Sequence, residues 1–411
     1  MTQVDDIANL PPAQGSRTEP DPGRTASPRD WLRVAIVALG TFTVVTSEML
    51  PVGLLTPMST DLRITEGVGG LTMTVTGLVA AVSAPLLTAW FARFDRRWVL
   101  CALLTVLALG NLAAALAPNF GVMIMARVLV GLGMGGVWAL AAGLAVRLVP
   151  ARSVGAATTM VFSGVAVASV LGIPAGTFLG ALAGWRAAFA TAAGVAVLVL
   201  IAVAVLLPAL PAEQVVGLRG GLRRAADPRV RTGLLVVAFL VTDHFAAYTY
   251  IRPVLEEVSG ASAGAVGTLL LGYGIAGVLG NFVAGSRAIK APRATLIVIS
   301  AVLALAALGL PAFGGTAVST AALILVWGLA YGGVSVSTQS WMLLAAPDAR
   351  DSVSALFVGV FNAAIALGAL VGGQAADHLG ITSPMWLGGA LAFAAALTVI
   401  LGAAPRAERA A

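Results

Sequence analysis

Charged residues are scarce in this chain, and their scarcity excludes a water-soluble protein. Only 10% of the 411 residues are charged and 59% are hydrophobic, with a mean hydropathy of +0.97. Soluble domains carry about 25% charged residues, so most of this surface faces lipid. Cysteine and histidine are scarce as well. A single cysteine, Cys101, and two histidines, His244 and His378, exclude internal disulfides and a cysteine- or histidine-built metal site. We expect no metal and no cofactor.

Long apolar runs take the place of the missing charge. A helix needs about 20 apolar residues to cross a bilayer. Arg, Pro, Gly and acidic residues interrupt the sequence often enough to delimit twelve such runs. They lie near 31–55, 67–90, 98–117, 119–146, 154–180, 186–207, 231–254, 262–285, 294–312, 317–344, 353–372 and 384–404. The sequence therefore predicts an all-α membrane protein with twelve transmembrane helices, numbered here as spans 1 to 12.

The polar segments divide these spans into two halves of six. We predict a disordered tail at 1–30, a first bundle at 31–207, a linker at 208–230, a second bundle at 231–404 and a tail at 405–411. The first apolar run begins at Trp31 and has no small-residue cleavage site after it. A cleaved signal peptide is therefore not expected.

The basic residues are distributed unequally between the two sides of the predicted membrane protein. The side of the termini has 20 of the 24 Lys and Arg residues and the opposite side has three, while Arg127 lies inside span 4. This bias predicts cytoplasmic termini in an inner membrane. The basic residues lie in short gaps between apolar runs rather than in one patch. Despite a net charge of +6, we therefore expect no nucleic-acid partner, and we expect a monomer.

The two halves repeat at an offset of about 196 residues. GLGMGGVW at 131–138 corresponds to GLAYGGVS at 328–335, and the glycines at 172, 176 and 184 correspond to those at 368, 372 and 380. Glu48 corresponds to His244 under the same offset. Parallel repeats of this kind place a substrate site near the midplane between halves that rock against each other.

Three strings carry a resemblance to a known family. TSEMLPVGLLTP at 46–57, HFAAYTYIRPVL at 244–255 and LGIPAGTFLG at 171–180 resemble the major facilitator superfamily. Within it they are most similar to the twelve-helix drug:proton antiporters of the bacterial sugar- and arabinose-efflux branch. The resemblance covers about residues 31–404. It implies a multi-pass inner-membrane protein that exports a small molecule in exchange for protons.

Two motifs depart from the family pattern. The family's loop between spans 2 and 3 reads G-x-x-x-D-R-x-G-R-R, and here AWFARFDRR at 89–97 keeps Arg96 and Arg97 but has Ala92 at the acidic position and Asp95 at the glycine. The resemblance implies a charge latch between the halves at Asp95, Arg96 and Arg97, rearranged by these changes. In span 5 the family's Gly-Pro is Ile173-Pro174, and Pro174 still implies a helix kink.

Four ionisable residues inside the spans are candidates for proton coupling. Glu48 in span 1, Arg127 in span 4, and Asp243 and His244 in span 7 lie about 12–15 Å from the predicted outer ends at 1.5 Å per residue. Charged groups inside a membrane are costly and mark functional sites. An apolar cavity favours a neutral carboxylic acid and a nearby arginine favours the carboxylate, so such a set can load and release a proton. A purely structural pairing of spans 1 and 4 is the alternative.

Polar and aromatic residues deep in the spans are candidates for the substrate site. Tyr248 lies one turn from His244 and Tyr250 two turns from Asp243, so each pair shares a helix face. The other candidates are Trp138, Trp327, Gln339 and Asn362. Interhelical hydrogen bonding is the alternative role for each of them. At the outer ends, Arg252 and Glu256 are expected to form a surface pair, and Asp377 and His378 to lie in a solvated loop.

Other functions remain open at this point. A proton-coupled importer of similar fold has the same sequence features as an exporter. A membrane-embedded enzyme is disfavoured, because the residues include no convergent nucleophile, base or metal ligands. A channel also remains as an alternative, and it would give fluxes that do not saturate. The sequence does not separate sugars, phenicol-type antibiotics and nucleosides as substrates.

Overall fold

The computed structural model describes residues 26–211 and 226–405, and all the regular structure in them is helical. Twelve of the helical stretches are long and apolar enough to cross a membrane, which confirms the twelve predicted spans. Their observed bounds are Pro28–Leu62, Glu66–Trp90, Arg96–Ala115, Phe120–Leu148, Val154–Val167 with Ile173–Ala183, Trp185–Leu206, Pro228–Tyr248 with Ile251–Ser259, Ala263–Ala288, Pro292–Phe313, Ala317–Gly332 with Val334–Ala345, Arg350–Leu379 and Ser383–Leu401. Most of the predicted tails and most of the predicted linker lie outside the described residues. Residues 28–30 of the first predicted tail already belong to the first helix, and the predicted boundaries of the bundles stay predictions.

Polar side chains fix where several spans begin. Ser27, Thr65 and Asn119 each accept a hydrogen bond from a backbone amide in the first turn of spans 1, 2 and 4. Asp95 and Asp227 do the same for spans 3 and 7. The first amides of a helix have no partner within it, so such caps stabilise each start by about 1 kcal/mol.

Three spans are broken rather than continuous, which the apolar runs did not predict. Span 5 contains a π-helical turn at Ala168–Gly172, just before Pro174. Span 7 is interrupted at Thr249 and Tyr250, and Pro253 has no amide proton to donate to the Thr249 carbonyl. Span 10 is interrupted at Gly333. Broken helices at membrane depth are a feature of transporter substrate sites.

The internal repeat is visible as equivalent helix packing. Gly172 of span 5 faces Thr46 of span 1, and Gly368 of span 11, 196 residues later, faces Thr242 of span 7. Both contacts need glycine, because a Cβ atom at either position would overlap the facing residue. Spans 5 and 11 also end alike, at glycines with positive φ, Gly184 at 84° and Gly380 at 95°. The fold is therefore a pair of pseudo-symmetric six-helix bundles.

The described chain starts and ends at one face of the molecule, called here the terminal face, and the other is the distal face. At the terminal face the Arg33 Nε donates to the Leu206 carbonyl, and the Ala403 amide donates to the Thr232 hydroxyl. Between the bundles, span 2 packs along span 11, and span 8 packs on the broken region of span 5. A hydrophobic cluster that contains residues of both halves lies between them.

Arg252 corrects one prediction, because it does not belong to an exposed surface pair. Its side chain is only 7% exposed, and its Nε lies 2.9 Å from a Glu256 carboxylate oxygen. Its Nη1 donates across the interface to the Gly53 carbonyl of span 1, at 2.6 Å. The helix break at Thr249 and Tyr250 redirects the end of span 7 toward span 1, which a continuous helix would not do.

Asp377 corrects a second prediction, because it lies in the last turn of span 11 rather than in a loop. Its carboxylate is exposed but accepts a hydrogen bond from the Thr65 hydroxyl at 2.7 Å and from the Gly67 amide at 2.9 Å. Thr65 and Gly67 form the start of span 2, so Asp377 binds the amide-rich end of a helix in the other half. Together with Arg252, it joins the two halves at the distal face.

A disulfide in place of the Thr65–Asp377 contact should lock the distal face. In a Cys101→Ala background, we expect Thr65→Cys combined with Asp377→Cys to cross-link on mild oxidation and to stop transport, because the halves could no longer separate there. Reduction should restore transport. The two single-cysteine variants, oxidised alike, are the controls. Full transport by the cross-linked protein would contradict rocking of the halves about this interface.

Candidate proton and substrate site

Arg127 of span 4 binds the backbone of two other spans. The side chain is fully buried, and its three nitrogens donate to the carbonyls of Thr72, Ser47 and Glu48 at 3.1, 2.8 and 2.9 Å. Five N–H groups in a rigid fork allow one arginine to bind several carbonyls at once. Arg127 therefore ties spans 1, 2 and 4 together at the depth of Glu48.

Glu48 lies beside this arginine but is not held by its side chain in a close ion pair. Arg127 binds the Glu48 backbone carbonyl, while the carboxyl oxygen Oε1 is buried without a hydrogen-bond partner. The residue as a whole is only 3% exposed. Leaving a buried polar atom unpaired costs about 1–3 kcal/mol, which is unusual for a residue with only a structural role. The arrangement keeps the Glu48 carboxyl near a positive charge and available to another group.

Asp243 is the second buried carboxyl and belongs to the other half. Both of its carboxyl oxygens lack a hydrogen-bond partner, and the side chain lies against Gly388 of span 12. A Cβ atom at position 388 would come within 2.8 Å of the Asp243 Oδ1, so the glycine makes room for the carboxyl. An unpaired carboxyl in the interior of a membrane protein is typical of a proton-transfer group.

His244, next to Asp243, lies in a cluster of aromatic rings. Tyr331 stacks on it with ring centroids 3.3 Å apart, and Tyr248 stacks with centroids 4.7 Å apart. Tyr273 stacks on Tyr248 at 4.8 Å, and its hydroxyl lies 3.5 Å from the His244 Nε2. Trp327 stands nearly perpendicular to His244, with 5.8 Å between centroids and 81° between planes. We call these five residues the aromatic cluster.

The aromatic cluster offers unused hydrogen-bonding groups. The His244 Nδ1 and the Trp327 Nε1 are buried and have no partner, and the same is true of the Ser337 hydroxyl, further along span 10. Parallel rings with a perpendicular wall suit a flat ring system, and unpaired donors and acceptors suit its polar edge. The cluster can thus hold a planar polar molecule.

Tyr331 connects the cluster to both carboxyls. The charges of Asp243, in its own half, and of Glu48, in the other half, are close enough to act on its phenol. The predicted coupling residues Glu48, Asp243 and His244 are therefore brought to one region between the halves. Within residues 26–211 and 226–405, no group of three acidic, histidine or cysteine side chains is placed to hold a metal ion.

The predicted substrate residues divide between this region and other parts of the fold. Tyr248 and Trp327 belong to the aromatic cluster. Tyr250 does not, because the break in span 7 turns it toward the distal face, where its hydroxyl donates to the Ala369 carbonyl at 2.7 Å. Trp138 stacks on Phe162 of span 5. The remaining two are Gln339, which is exposed, and Asn362, whose amide donates to the Val358 carbonyl of its own helix.

The predicted latch residues bind the chain that follows span 6. The Asp95 carboxylate accepts from the Leu210 amide at 3.0 Å, and the Arg96 amide donates to the Leu210 carbonyl at 2.9 Å. Arg97 donates to the Ala204 carbonyl. These contacts lie within the first half, so they do not form the expected latch between the halves.

Pro174 follows the π-helical turn of span 5. There, the Ser169 and Val170 backbone closely approaches Gly274 of span 8 in the other half. The π-helical turn before Pro174 therefore lies at the contact between the two halves, and the kink at Pro174 stays a prediction.

Sequence reasoning missed Tyr273 and Tyr331. The chain has only four tyrosines, and three of them lie in the aromatic cluster. Tyr331 also falls inside the repeated segment at 328–335, at the position where the first half has Met134. Aromatic side chains that distinguish one repeat from the other were the available signal.

Two pseudo-symmetric bundles, broken helices and buried, unpaired carboxyl oxygens in both halves are features of a membrane transporter. The chain belongs to the Major Facilitator Superfamily, whose sequence profile matches residues 37–359 and 233–411. The family resemblance in the sequence is thereby confirmed, as is the twelve-helix fold class. The protein is a multi-pass membrane transporter.

Curated relatives match nearly the whole chain. The purine ribonucleoside efflux pump NepI of Escherichia coli O1:K1 is 34% identical over 370 residues, which cover 90% of this chain and 93% of that protein. The pump of the same name from Salmonella typhimurium is 35% identical over the same length.

Solved structures share the fold at low sequence identity. A bacterial homologue of the human lysosomal transporter Spinster, in an inward-facing and occupied conformation, matches with a TM-score of 0.75 and 16% identity. The match covers 93% of this chain and 97% of that one. The nucleoside transporter NupG matches with a TM-score of 0.71 and 14% identity, over 90% and 98% of the two chains. These likenesses concern the fold alone.

Proposed function

We propose that the protein exports a purine ribonucleoside, or a closely related nucleoside, in exchange for protons by alternating access. The observation that carries the proposal is the pair of buried, unpaired carboxyls, Glu48 and Asp243, beside the aromatic cluster between the halves. The curated relatives named as purine ribonucleoside efflux pumps support the substrate class and the direction of transport.

The chemistry of a purine ribonucleoside fits the aromatic cluster. A purine is a flat, polar ring system that stacks on tyrosine and histidine rings. The unpaired His244 Nδ1 and Trp327 Nε1 can bind the edge of the base. The ribose hydroxyls can donate to a carboxylate such as Asp243. A sugar without an aromatic ring would leave the stacked rings without a function, and this favours nucleosides over sugars among the candidates.

The proton is assigned to Glu48, with Asp243 and His244 as further members of the coupling group. Glu48 lies beside Arg127, which binds its backbone carbonyl, and its charge is close enough to act on the Tyr331 phenol. A substrate that enters this region changes the solvation and the hydrogen bonding of the carboxyl. Because solvation and neighbouring charge decide whether a carboxyl keeps its proton, substrate binding and proton release are coupled in this arrangement.

We propose that the protein lies in an inner membrane with its terminal face toward the cytoplasm. This orientation rests on the distribution of Lys and Arg. Reporter fusions at Gly220 and at Ala411 should both be active only as cytoplasmic reporters. A fusion in the loop at Ser262 is the matched control and should report the opposite side. A periplasmic signal at Gly220 or Ala411 would contradict the orientation.

Transport in everted membrane vesicles tests the proposed function. Vesicles with an acidic lumen should accumulate radiolabelled guanosine, because protons leaving the lumen drive the nucleoside in, which corresponds to export from the cell. A protonophore should abolish the accumulation, and vesicles without the protein are the control. Accumulation that requires an alkaline lumen instead would identify a proton-coupled importer. Flux that does not saturate with guanosine would identify a channel.

A further inference from the structure

The ring of Tyr331 lies against His244 as a bound nucleobase would. The two ring centroids are 3.3 Å apart and the planes differ by 14°. On the same histidine, Tyr248 stacks at 4.7 Å and 22°. Stacked aromatic rings usually have centroids about 4.5–7 Å apart, so the closer approach of Tyr331 leaves no space for a base on that face of His244 while Tyr331 is there.

Tyr331 is also the member of the cluster that is best placed to move. The side chains of Tyr248, Tyr273 and Trp327 are buried, at 3%, 6% and 1% exposure, whereas Tyr331 is only half-buried. It lies one residue before Gly332, at which the first helix of span 10 ends, and Gly333 separates that helix from the next. A break between two helices absorbs backbone rotation at low cost.

We propose that Tyr331 occupies the position of the substrate's base, so that a purine binds against His244 only when Tyr331 leaves the stack. This inference rests on the proposed function, and it assigns to that site a residue that competes with the substrate. The ring of the base takes the place of the Tyr331 ring on His244, so a stacked pair of rings is kept. Only the backbone conformation at Gly332 and Gly333 changes.

The competition links base binding to the two carboxyls. Tyr331 is close enough to both Glu48, in the first half, and Asp243, in the second, for their charges to act on its phenol. When Tyr331 leaves His244, its phenol changes position relative to both carboxyls. Binding of the base therefore reaches Glu48 through Tyr331, without direct contact between the base and Glu48.

Equilibrium binding of guanosine to purified protein in lipid nanodiscs tests this inference. Removing the competitor should strengthen binding, so Tyr331→Ala should lower the Kd for guanosine by about threefold to tenfold, the equivalent of one aromatic stacking contact. Tyr331→Leu, which fills similar volume without a stacking ring, should do the same. Tyr331→Phe keeps the ring and should therefore change the Kd much less than Tyr331→Ala does. Both Tyr331→Ala and Tyr331→Leu should bind more tightly but transport more slowly, because the link to the carboxyls is lost.

If Tyr331 instead lined the base site and contacted the bound base, its substitutions would have the opposite effect on guanosine binding. If Tyr331 holds the base from the other side, Tyr331→Ala and Tyr331→Leu weaken guanosine binding while wild-type transport persists, and that result overturns the inference but leaves the proposed function intact. Proton-coupled transport of another solute, with no guanosine binding by the wild type or by Tyr331→Ala, overturns both this inference and the substrate class. Uridine and D-ribose serve as comparison ligands, and the gain in affinity should be absent for ribose.

Discussion

Glu48→Gln should reduce guanosine accumulation driven by a pH gradient to the level of vesicles without the protein. Glutamine has nearly the same shape as protonated glutamate but cannot release a proton. The Glu48 Oε1 has no hydrogen-bond partner, so the substitution breaks no hydrogen bond at that atom. The loss of coupling should therefore be large, while the fold is preserved.

Binding and transport together make the result interpretable. The Kd of guanosine for the Glu48→Gln protein should change by no more than about threefold, less than 1 kcal/mol. Glu257→Gln is the matched control, because Glu257 is an exposed glutamate at the distal end of span 7 and should leave transport unchanged. Residual transport driven by the pH gradient in Glu48→Gln would place the proton carrier elsewhere.

Arg127→Ala should destabilise the folded protein more than any other single substitution discussed here. It removes the hydrogen bonds that the guanidinium donates to the carbonyls of Ser47, Glu48 and Thr72. The Ser47 carbonyl is left unpaired, because Pro51, four residues later in the same helix, has no amide proton to donate. Hydrogen bonds to a charged group contribute about 1.5–3 kcal/mol each, so the loss is about 3 kcal/mol or more. It also removes the positive charge beside Glu48.

Thermal unfolding of the purified variants in detergent, monitored by size-exclusion chromatography, measures this loss of stability. We expect a much lower apparent Tm for Arg127→Ala, and a smaller decrease for Arg127→Lys, since lysine keeps the charge but not the planar fork. Arg152→Ala is the control, because Arg152 is an exposed arginine in the loop before span 5. An unchanged Tm in Arg127→Ala would show that these hydrogen bonds contribute little to stability.

The sequence was sufficient for the fold because the relevant signals are local. Apolar run length identified twelve spans, and the offset of 196 residues identified the repeat, which reappears as Gly172 on Thr46 and Gly368 on Thr242. Glu48, Arg127 and Asp243 could be singled out because a charge inside an apolar run is rare and costly. The spans and the buried charges need only the residues within one span, and the repeat needs only the comparison of two segments of the sequence.

The remaining features depend on how spans are placed in three dimensions. Beyond the break in span 7, the buried Tyr250 binds Ala369 of span 11 and Arg252 binds Gly53 of span 1. A continuous helix would instead place Tyr250 on the same face as Asp243. The pairing of Tyr331 with His244 joins residues 87 positions apart in sequence, and no periodicity within a single span indicates it. The contacts of Asp95 with Leu210 depend likewise on where span 6 ends.

Substrate-induced proton release is the measurement that tests the exchange of a nucleoside for a proton most directly. Purified protein in weakly buffered detergent solution, with a pH-sensitive dye, should release protons when guanosine is added. The Glu48→Gln variant should bind guanosine without releasing them. The account is contradicted if the wild type binds guanosine without any release, or if Glu48→Gln releases protons with unchanged stoichiometry. In that second case Asp243 becomes the first candidate for the carrier.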